Sequence, residues 1–352
     1  MKKTILILLA VAMLLIPLAA CAEKPSDAAT TPPATTPATD SAPKKIGEGK
    51  KAAMLLPGPI SDAGYNGPAY DGLVRMEKEL GYTISYTENV APADYENVFR
   101  TYAQQGYNII FAHGSQFLET AMTVAAEFPD TWFAVSSAFY TNEKNVSGWN
   151  LNVYDVGFLA GVLMAQMTKT KNIGMVSGAE LPPIVMMLDS MKAGAAYIDK
   201  SVTVRNVFTS ETANSAECKD AAMALIDAGC DLLTSNAGVG APGVIAACDE
   251  HGHYFIGTSA DWSPIDPDTV LNSIATDWGG AALLTAELYA KGELQSIPYT
   301  NGIAEGAVYF TGYGVNESSV PANVRASVDE IIGKVKSGEI NIFALVAETT
   351  GQ

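Results

Sequence analysis

The stretch AAMLLPGPISDAGYNGPAYDGL, residues 52–73, runs from a short apolar segment through a turn into a helical pattern. Residues 52–57 have the length and apolar character of a buried strand. Gly58 and Pro59 turn the chain out of this strand, and a helical pattern begins near Asn66. This order of strand, turn and helix recurs along the chain, and its repetition decides the fold.

Repeating β-α units predict parallel sheets that are covered by helices on both faces. Strand-like runs occupy residues 52–57, 82–87, 108–113, 131–136, 172–177, 202–208, 231–235 and 254–259. Helical patterns between them occupy residues 95–105, 117–128, 156–167, 216–228 and 241–250. So many strands divide better between two sheets than they fit into one.

The later segments predict that the chain passes between two lobes more than once. We expect the extended segment 145–152 to be the first crossing, and the strands 270–276 and 307–310 to follow a return to the first lobe. The predicted fold class is α/β, with two doubly wound parallel-sheet lobes joined by hinge strands, as in the clamshell of type I periplasmic binding proteins. The predicted N-terminal lobe comprises residues 50–140 and 262–298, and the predicted C-terminal lobe comprises residues 141–261 and 299–352.

The amino terminus has the features of a lipoprotein signal peptide over residues 1–20. Lys2 and Lys3 precede an apolar run that is shorter than the roughly 20 residues of a membrane span, and Leu-Ala-Ala-Cys ends at Cys21. Cys21 is therefore the predicted lipidation site, with an ordinary signal peptide as the alternative. Residues 21–49 are mostly Ala, Thr, Pro and Ser and predict a flexible linker. We expect a protein that is anchored by lipid alone to the extracytoplasmic face of the cell membrane.

The charge balance argues against nucleic acid as a partner. The chain has 21 basic and 38 acidic residues, a net charge of −17, whereas phosphate contacts need clustered Lys and Arg. The cysteines beyond Cys21 are Cys218, Cys230 and Cys248, an odd number in apolar stretches, so we expect buried thiols rather than a disulfide framework.

One segment matches the sequence pattern of a dinucleotide-binding site. Residues 236–243 contain G-x-G-x-x-G after a strand-like run and before a helix, with Asp261 about 20 residues downstream. The unit lies deep in the chain, however, and an exported lipoprotein meets no pool of NAD, so no cofactor is predicted. Gly238 is still expected to face a ligand, because a glycine-rich turn lets backbone N–H groups approach closely.

Sequence patterns for catalysis or metal binding are weak. His251 and His253 form H-x-H in a polar turn without a third ligand at zinc-site spacing. No G-x-S-x-G motif is present, and neither His113 nor Ser115 has partners at triad spacing. We therefore predict binding rather than catalysis; turnover of a bound ligand would revive the enzyme hypothesis.

Most of the chain resembles the basic membrane protein family, the lipoprotein substrate receptors of ABC importers, which include purine nucleoside receptors. The resemblance begins with the D-x-G-aromatic-Asn core of residues 54–73. It continues through GYNIIFAHGS (106–115), AAEFPDTWFAV (125–135), VGFLAG (156–161), AAMALIDAGCDLL (221–233), IGTSAD (256–261) and VLNSIATDWG (270–279). The segment TDWGG is closer to the branch that resembles purine-base receptors. The resemblance implies a receptor that hands a purine base or nucleoside to permease and ATPase subunits of a transporter.

The same resemblance implies a ligand site built around the opening stretch. Tyr65, preceded by Asp62, is expected to present a flat face for a heterocycle, and Asn66 to offer an amide to the ring edge. The alternative is that Tyr65 packs on its own lobe and Asn66 caps the helix. Asp261 is expected to accept from a ring N–H or a sugar hydroxyl. His113 and Gly238 are also included in the predicted site.

The chain departs from the family's nucleoside receptors at several of these positions. Ala63 and Thr276 stand where those receptors have lysines that resemble sugar contacts, which argues against ribose recognition of that kind. Ser137 occupies the position of a ligand-binding Asp. Thr212 aligns with a second stacking aromatic, so the second ring remains open between Phe208, Phe117 and Trp262.

The sequence leaves two hypotheses for the function of the protein. The main hypothesis is a solute receptor of an importer. The alternative is a sensory lipoprotein of the same fold, which reports a small heterocyclic ligand to a membrane partner.

Overall fold

The structure is a computed structural model, and it describes residues 44–61, 65–210 and 214–351. The predicted signal peptide, Cys21, most of the predicted linker and Asp62 lie outside the described residues, and so do Ala63 and Thr212. Within the part that is described, no helix has the length and apolar character needed to cross a membrane.

Strands and helices alternate through the described residues. In chain order the strands are β1 Lys51–Leu55, β2 Thr83–Thr87, β3 Ile109–Ala112, β4 Trp132–Val135, β5 Val146–Leu151, β6 Asn172–Ser177, β7 Thr203–Phe208, β8 Leu232–Ser235, β9 Tyr254–Ser259, β10 Val270–Thr276, β11 Pro298–Asn301 and β12 Val308–Phe310. The helices are α1 Asn66–Arg75, α2 Tyr95–Gln104, α3 Leu118–Ala125, α4 Val153–Met167, α5 Pro182–Ile198, α6 Ser215–Asp227, α7 Ala241–His251, α8 Trp278–Lys291, α9 Ala322–Lys336 and α10 Ile342–Thr350.

Two six-stranded sheets form the two lobes, which confirms the predicted fold class. The first sheet has the order β11-β5-β4-β3-β1-β2, and the second has the order β12-β10-β9-β8-β6-β7. All neighbouring strands are parallel except β12, which is antiparallel to β10. The central strand β3 is buried along its whole length, as expected for a parallel sheet with helices on both faces.

The chain changes sheets at residues that differ from the predicted lobe boundaries. It leaves the first sheet after β5, returns after β10, and leaves again after β11. The predicted boundaries at residues 140, 261 and 298 each precede the real change of sheet. The reason is that β5 and β10, which the prediction places in the next lobe, pair with β4 and β9 of the preceding sheet. β11 was missed, because PYTN is short and polar and starts with proline.

Glycines bring several helices into backbone contact. A methyl group at Gly157 or Gly161 of α4 would overlap the carbonyl oxygen of Met187 or Met191 in α5. A methyl group at Gly72 of α1 would likewise overlap Gly279 at the beginning of α8. The second contact fixes the returning helix α8 against the first lobe, directly after a crossing.

The three cysteines of the second lobe are buried free thiols, as expected, and all three lie in the same apolar core. Burial raises the pKa of Cys230 to about 11 and that of Cys248 to about 12.

Candidate functional site

The cleft between the lobes lies at the carboxyl ends of the parallel strands. Only one residue separates β5 from α4, and only one separates β10 from α8. Connections this short bring the carboxyl edge of each sheet next to the other lobe. Ligands of open α/β sheets bind at this edge. The loops that follow β1, β3 and β4 therefore border the cleft from the first lobe, and those that follow β7, β8 and β9 border it from the second.

Hydrogen bonds join the three crossings at the base of the cleft. The Asn152 backbone N–H donates to the Asn301 carbonyl at 2.9 Å, and the Asp277 N–H donates to the Ala307 carbonyl at 2.8 Å. Asp155 of α4 accepts from the Ile303 N–H and from the Asn152 amide, each at 2.8 Å. The pKa of Asp155 is raised to about 6. Burial is the largest cause and raises it, the hydrogen bond from Ile303 lowers it, and the charge of Glu305 raises it.

Four rings meet where the first lobe borders the cleft. Tyr65 and His113 are stacked, with their ring centroids 3.7 Å apart and a 29° angle between the planes. Trp278 meets Tyr65 edge-on at 5.7 Å and His113 edge-on at 4.8 Å. Trp149 lies behind His113 at 5.2 Å. We call Tyr65, His113, Trp149 and Trp278 the aromatic cluster.

The sequence predicted only the first two members of the aromatic cluster. Trp149 is fully buried in β5, and Trp278 is half-buried at the beginning of α8. A signal for Trp278 was present, because it directly follows the end of a strand, where site residues collect. No local pattern marks Trp149, since it reaches the cluster only through the pairing of β5 with β4.

Asn66 holds the loop that precedes it. Its side chain is 6% exposed, and its Oδ1 accepts from the Gly58 N–H at 3.2 Å. The N-cap position of α1 is Tyr65, and no side-chain cap hydrogen bond forms there. The expected alternative of Asn66 as a helix cap therefore does not describe this geometry.

Ser137 lies in the loop after β4 with a left-handed backbone, φ +56°. It is half-buried. The neighbouring Ser136 is fully buried, and its hydroxyl lies 3.0 Å from Nδ1 of His113. This loop thus holds the histidine of the aromatic cluster.

The loops of the second lobe present two predicted residues in exposed positions. Gly238 is exposed in the loop after β8 and has φ +54°. Asp261 is exposed after β9, where its Oδ1 accepts from the backbone N–H and the hydroxyl of Ser263 at 3.0 and 2.7 Å. A second carboxylate oxygen of Asp261 is available in addition to these local bonds.

The three alternatives for the second stacking ring differ in their surroundings. Phe117 is fully buried in the first lobe, with its ring centroid 4.1 Å from that of Tyr95. Trp262 packs against the core of its own lobe, and its indole N–H donates to the Thr258 carbonyl at 3.1 Å. Phe208 is 36% exposed at the carboxyl end of β7. Phe208 is thus the one of the three with an open ring at the cleft edge.

A cavity of about 410 Å³ adjoins the aromatic cluster and is lined by both lobes. Its lining residues are Pro68, Asp71, Arg75, Ser259, Ala260, Asp261, Ala275, Thr276, Asp277, Trp278, Gly279 and Tyr309.

The lining of this cavity carries more negative than positive side chains. Arg75 is its cation, and Nη1 of Arg75 lies 3.2 Å from Oδ2 of Asp277. Burial raises the pKa of Tyr309, and the charges of Asp277 and Asp261 raise it further. The volume suits a small molecule, and the surplus of carboxylates disfavours an anionic one.

The pair His251 and His253 belongs to no metal-binding group of the described residues. There, no group of three or more His, Cys, Asp or Glu could hold a metal ion. His251 and His253 have ring centroids 6.4 Å apart, and Nδ1 of His251 lies 2.9 Å from the Ala247 carbonyl oxygen.

Comparisons with known proteins agree with this architecture. A family model described as ABC transporter substrate-binding protein PnrA-like matches residues 49–345. A purine-binding protein of Brucella abortus is 27% identical over 296 residues, which cover 83% of each chain. A putative ABC transporter glucose-binding protein of Haloferax volcanii is 25% identical over 87% of this chain and 77% of that protein. A solved ABC transporter solute-binding protein of Conexibacter woesei shares the fold, with a TM-score of 0.69, 22% identity, and coverage of 83% of this chain and 98% of the other.

Proposed function

Because the chain belongs to the Bmp family of ABC transporter substrate-binding proteins, we propose that it captures a purine base or purine nucleoside in the cleft between its lobes. The loaded receptor then delivers this solute to the permease of an importer outside the cytoplasm. A lipid on Cys21 is the proposed anchor, and we propose no catalytic step.

The observation that carries the ligand class is the Tyr65 ring at the carboxyl edge of the first sheet. His113 supports one face of this ring and Trp278 borders its edge. A rigid aromatic platform at a cleft suits a flat heterocycle, because stacking of a base on an aromatic side chain contributes about 1–3 kcal/mol. The similarity to the purine-binding protein of Brucella abortus supports the same class.

The remaining predicted residues supply polar contacts and a second wall in this proposal. Phe208 covers the other face of the heterocycle when the lobes close, and Asp261 accepts from a ring N–H. Asp62, Asn66, Ser137 and Gly238 bind the polar edges of the ligand, while Trp262 supports the loop that carries Asp261.

Charge favours an uncharged ligand over a nucleotide. Three carboxylates, of Asp71, Asp261 and Asp277, line the cavity beside a single guanidinium, which already pairs with Asp277. A phosphate would meet these carboxylates without a free cation of the cavity lining to balance it. Bases rank first in the proposal, because Ala63 and Thr276 replace the lysines of nucleoside receptors.

Calorimetry tests the proposal with adenine, guanine, hypoxanthine, xanthine, their nucleosides and glucose. For Tyr65→Ala we expect a loss of about 5- to 150-fold in affinity, which is the stacking contribution converted to a ratio. Tyr70→Ala is the matched control, because Tyr70 lies on the same helix but packs on Tyr86 at 4.7 Å, away from the aromatic cluster. Affinity within about twofold of wild type is expected for this control. Tighter binding of glucose than of every purine, or full affinity in Tyr65→Ala, contradicts the proposal.

A further inference from the structure

The inner face of the Tyr65 ring is covered by a residue that is itself closed to solvent. His113 is 0% exposed, and its ring lies 3.7 Å from that of Tyr65 in a stacked arrangement. Trp149 and Trp278 surround the imidazole on other sides. A ligand that stacks on the outer face of Tyr65 is thus separated from His113 by the thickness of the tyrosine ring.

Strands of the first sheet fix the imidazole independently of α1. The His113 backbone N–H donates to the Leu55 carbonyl at 2.9 Å, which ties the residue to β1. The Ser136 hydroxyl lies 3.0 Å from Nδ1, and the Ser136 N–H donates to the Ala112 carbonyl at 2.9 Å. The histidine is therefore part of the rigid sheet edge.

The ring contacts of Tyr65 also help to hold this residue in place. It is the N-cap residue of α1, with φ −136° and ψ −65°, outside the helical conformation. The contacts of its ring with His113 and Trp278 restrict the directions that the side chain can take. A ring that is already ordered loses less entropy when it binds a ligand.

We propose that His113 is a positioning residue for ligand capture: its imidazole covers the inner face of the Tyr65 ring and helps to hold this ring in place, so that the heterocycle stacks on the outer face. This inference rests on the proposed function, and it changes the predicted role of His113 from ligand contact to support. The role acts through Tyr65, so it disappears when Tyr65 is absent.

A double-mutant cycle with adenine tests the proposal. In otherwise wild-type protein, His113→Leu should weaken adenine binding by about 2- to 12-fold, the cost of ordering one side chain upon binding. In the Tyr65→Ala background the same change should have no further effect beyond about twofold. An equal loss in both backgrounds would show that His113 acts on the ligand directly and would overturn the proposal.

Two substitutions separate the ring of His113 from its hydrogen bond. His113→Phe keeps a flat ring and loses the contact with Ser136, whereas His113→Gln keeps a polar group and loses the ring. If the imidazole acts as a support, His113→Phe should retain more adenine affinity than His113→Gln. The reverse order contradicts the proposal.

A measurement without ligand separates this inference from the proposed function. NMR spectra of protein with 13C-labelled tyrosine rings should show Tyr65 signals, identified through Tyr65→Phe, that are shifted by the stacked imidazole. His113→Leu should move these signals toward their values in unstructured peptides, and His113→Phe should not. Unchanged Tyr65 signals in His113→Leu overturn the positioning role even if adenine binds.

Failure of wild type to bind any purine, with the signals shifted as expected, contradicts the proposed function alone. Thermal unfolding identifies any variant that fails to fold, in which case His113→Phe and His113→Gln carry the test.

Discussion

Asp155 is a buried carboxylate at the point where two crossings meet. It is 4% exposed, and it accepts from the Ile303 N–H of the third crossing and from the Asn152 side chain of the first. Glu305 lies in the same turn as Ile303, and its charge raises the pKa of Asp155. Burial penalises the charged form of Asp155 more than these donors favour it, so the pKa of Asp155 is raised to about 6.

The raised pKa predicts a pH dependence of stability in a defined window. The unfolded chain releases this proton near the ordinary value of 3.8, and the folded protein releases it at about 6. Between these values the folded state holds more protons, so the Asp155 contribution to the free energy of unfolding falls as pH rises from about 4 to 6. The fall is at most about 3 kcal/mol. Urea unfolding of wild type and Asp155→Asn at several pH values should show a shallower decline in the variant.

Asp71→Asn is the control for this measurement, because Asp71 is an exposed carboxylate on α1. It should leave the decline unchanged. The same decline in wild type and Asp155→Asn contradicts the assignment of this proton. The slope with pH is the test, because the two donors bond different oxygens of Asp155, and the NH2 group of an asparagine would face one of these donors and lower the stability at every pH.

At this scale the sequence predicted residues that follow strands and missed residues that sheet pairing brings in. Tyr65 and His113 follow β1 and β3, and these two strands are hydrogen-bonded neighbours, so the two side chains meet. No local pattern predicts a role for Trp149, whose place beside His113 depends on the strand order. Phe117 was a reasonable alternative by position, yet its ring points into the core formed with Tyr95 and Phe99.

Among the elements, α4 and α5 are in unusually close contact. Gly157 and Gly161 on α4 and Gly194 on α5 face the backbone of the opposite helix, where the carbonyl oxygens of Met187, Met191 and Phe158 take the place of side chains. Any larger residue at these positions forces the helices apart and disturbs the apolar core beneath them.

Gly161→Ala should therefore destabilise the protein although alanine is the better helix former. The expected loss is about 1–3 kcal/mol in the free energy of unfolding, typical of overpacking in a core. Gly333→Ala is the matched control, because Gly333 lies within α9 and no atom lies within 4 Å of the methyl position. This control should gain about 0.4–1 kcal/mol. Urea unfolding of both variants measures the two signs, and a stabilised Gly161→Ala contradicts the close packing.

Elements with a strong local pattern were predictable, and those made by tertiary context were not. Residues 108–113 and 254–259 read as strands from their apolar runs and form β3 and β9. β11 contains only Pro298–Asn301 and pairs with β5 alone, so its strand character comes from its partner. Helix α5 begins with two prolines, Pro182 and Pro183, and the sequence pattern predicts neither α5 nor α10.

At the scale of the whole molecule, three crossings with mutual hydrogen bonds define the base of the cleft. Hinge-linked receptors of this architecture close around their ligands through a few residues at such crossings. We therefore expect the lobes to rotate about this edge as rigid bodies.

Closure predicts a change in size upon binding. A fully compact chain of 352 residues has a radius of gyration of about 20 Å, and an open two-lobed form exceeds it. Small-angle scattering should give a smaller radius with saturating adenine than without it, and Tyr65→Ala at the same adenine concentration should keep the larger value. Identical profiles for wild type, with binding established by calorimetry, contradict a hinge.

The buried thiols make this receptor convenient for spectroscopy. Since burial raises the pKa of all three cysteines, the reactive thiolate is scarce at neutral pH, and solvent does not reach the sulfur atoms. Maleimide dyes should therefore not react with Cys218, Cys230 or Cys248 in the folded protein. Cysteines introduced at the exposed Phe139 of the first lobe and Val239 of the second would be the dye-accessible thiols of the described residues. Energy transfer between two dyes at these positions could then follow single molecules as they open and close.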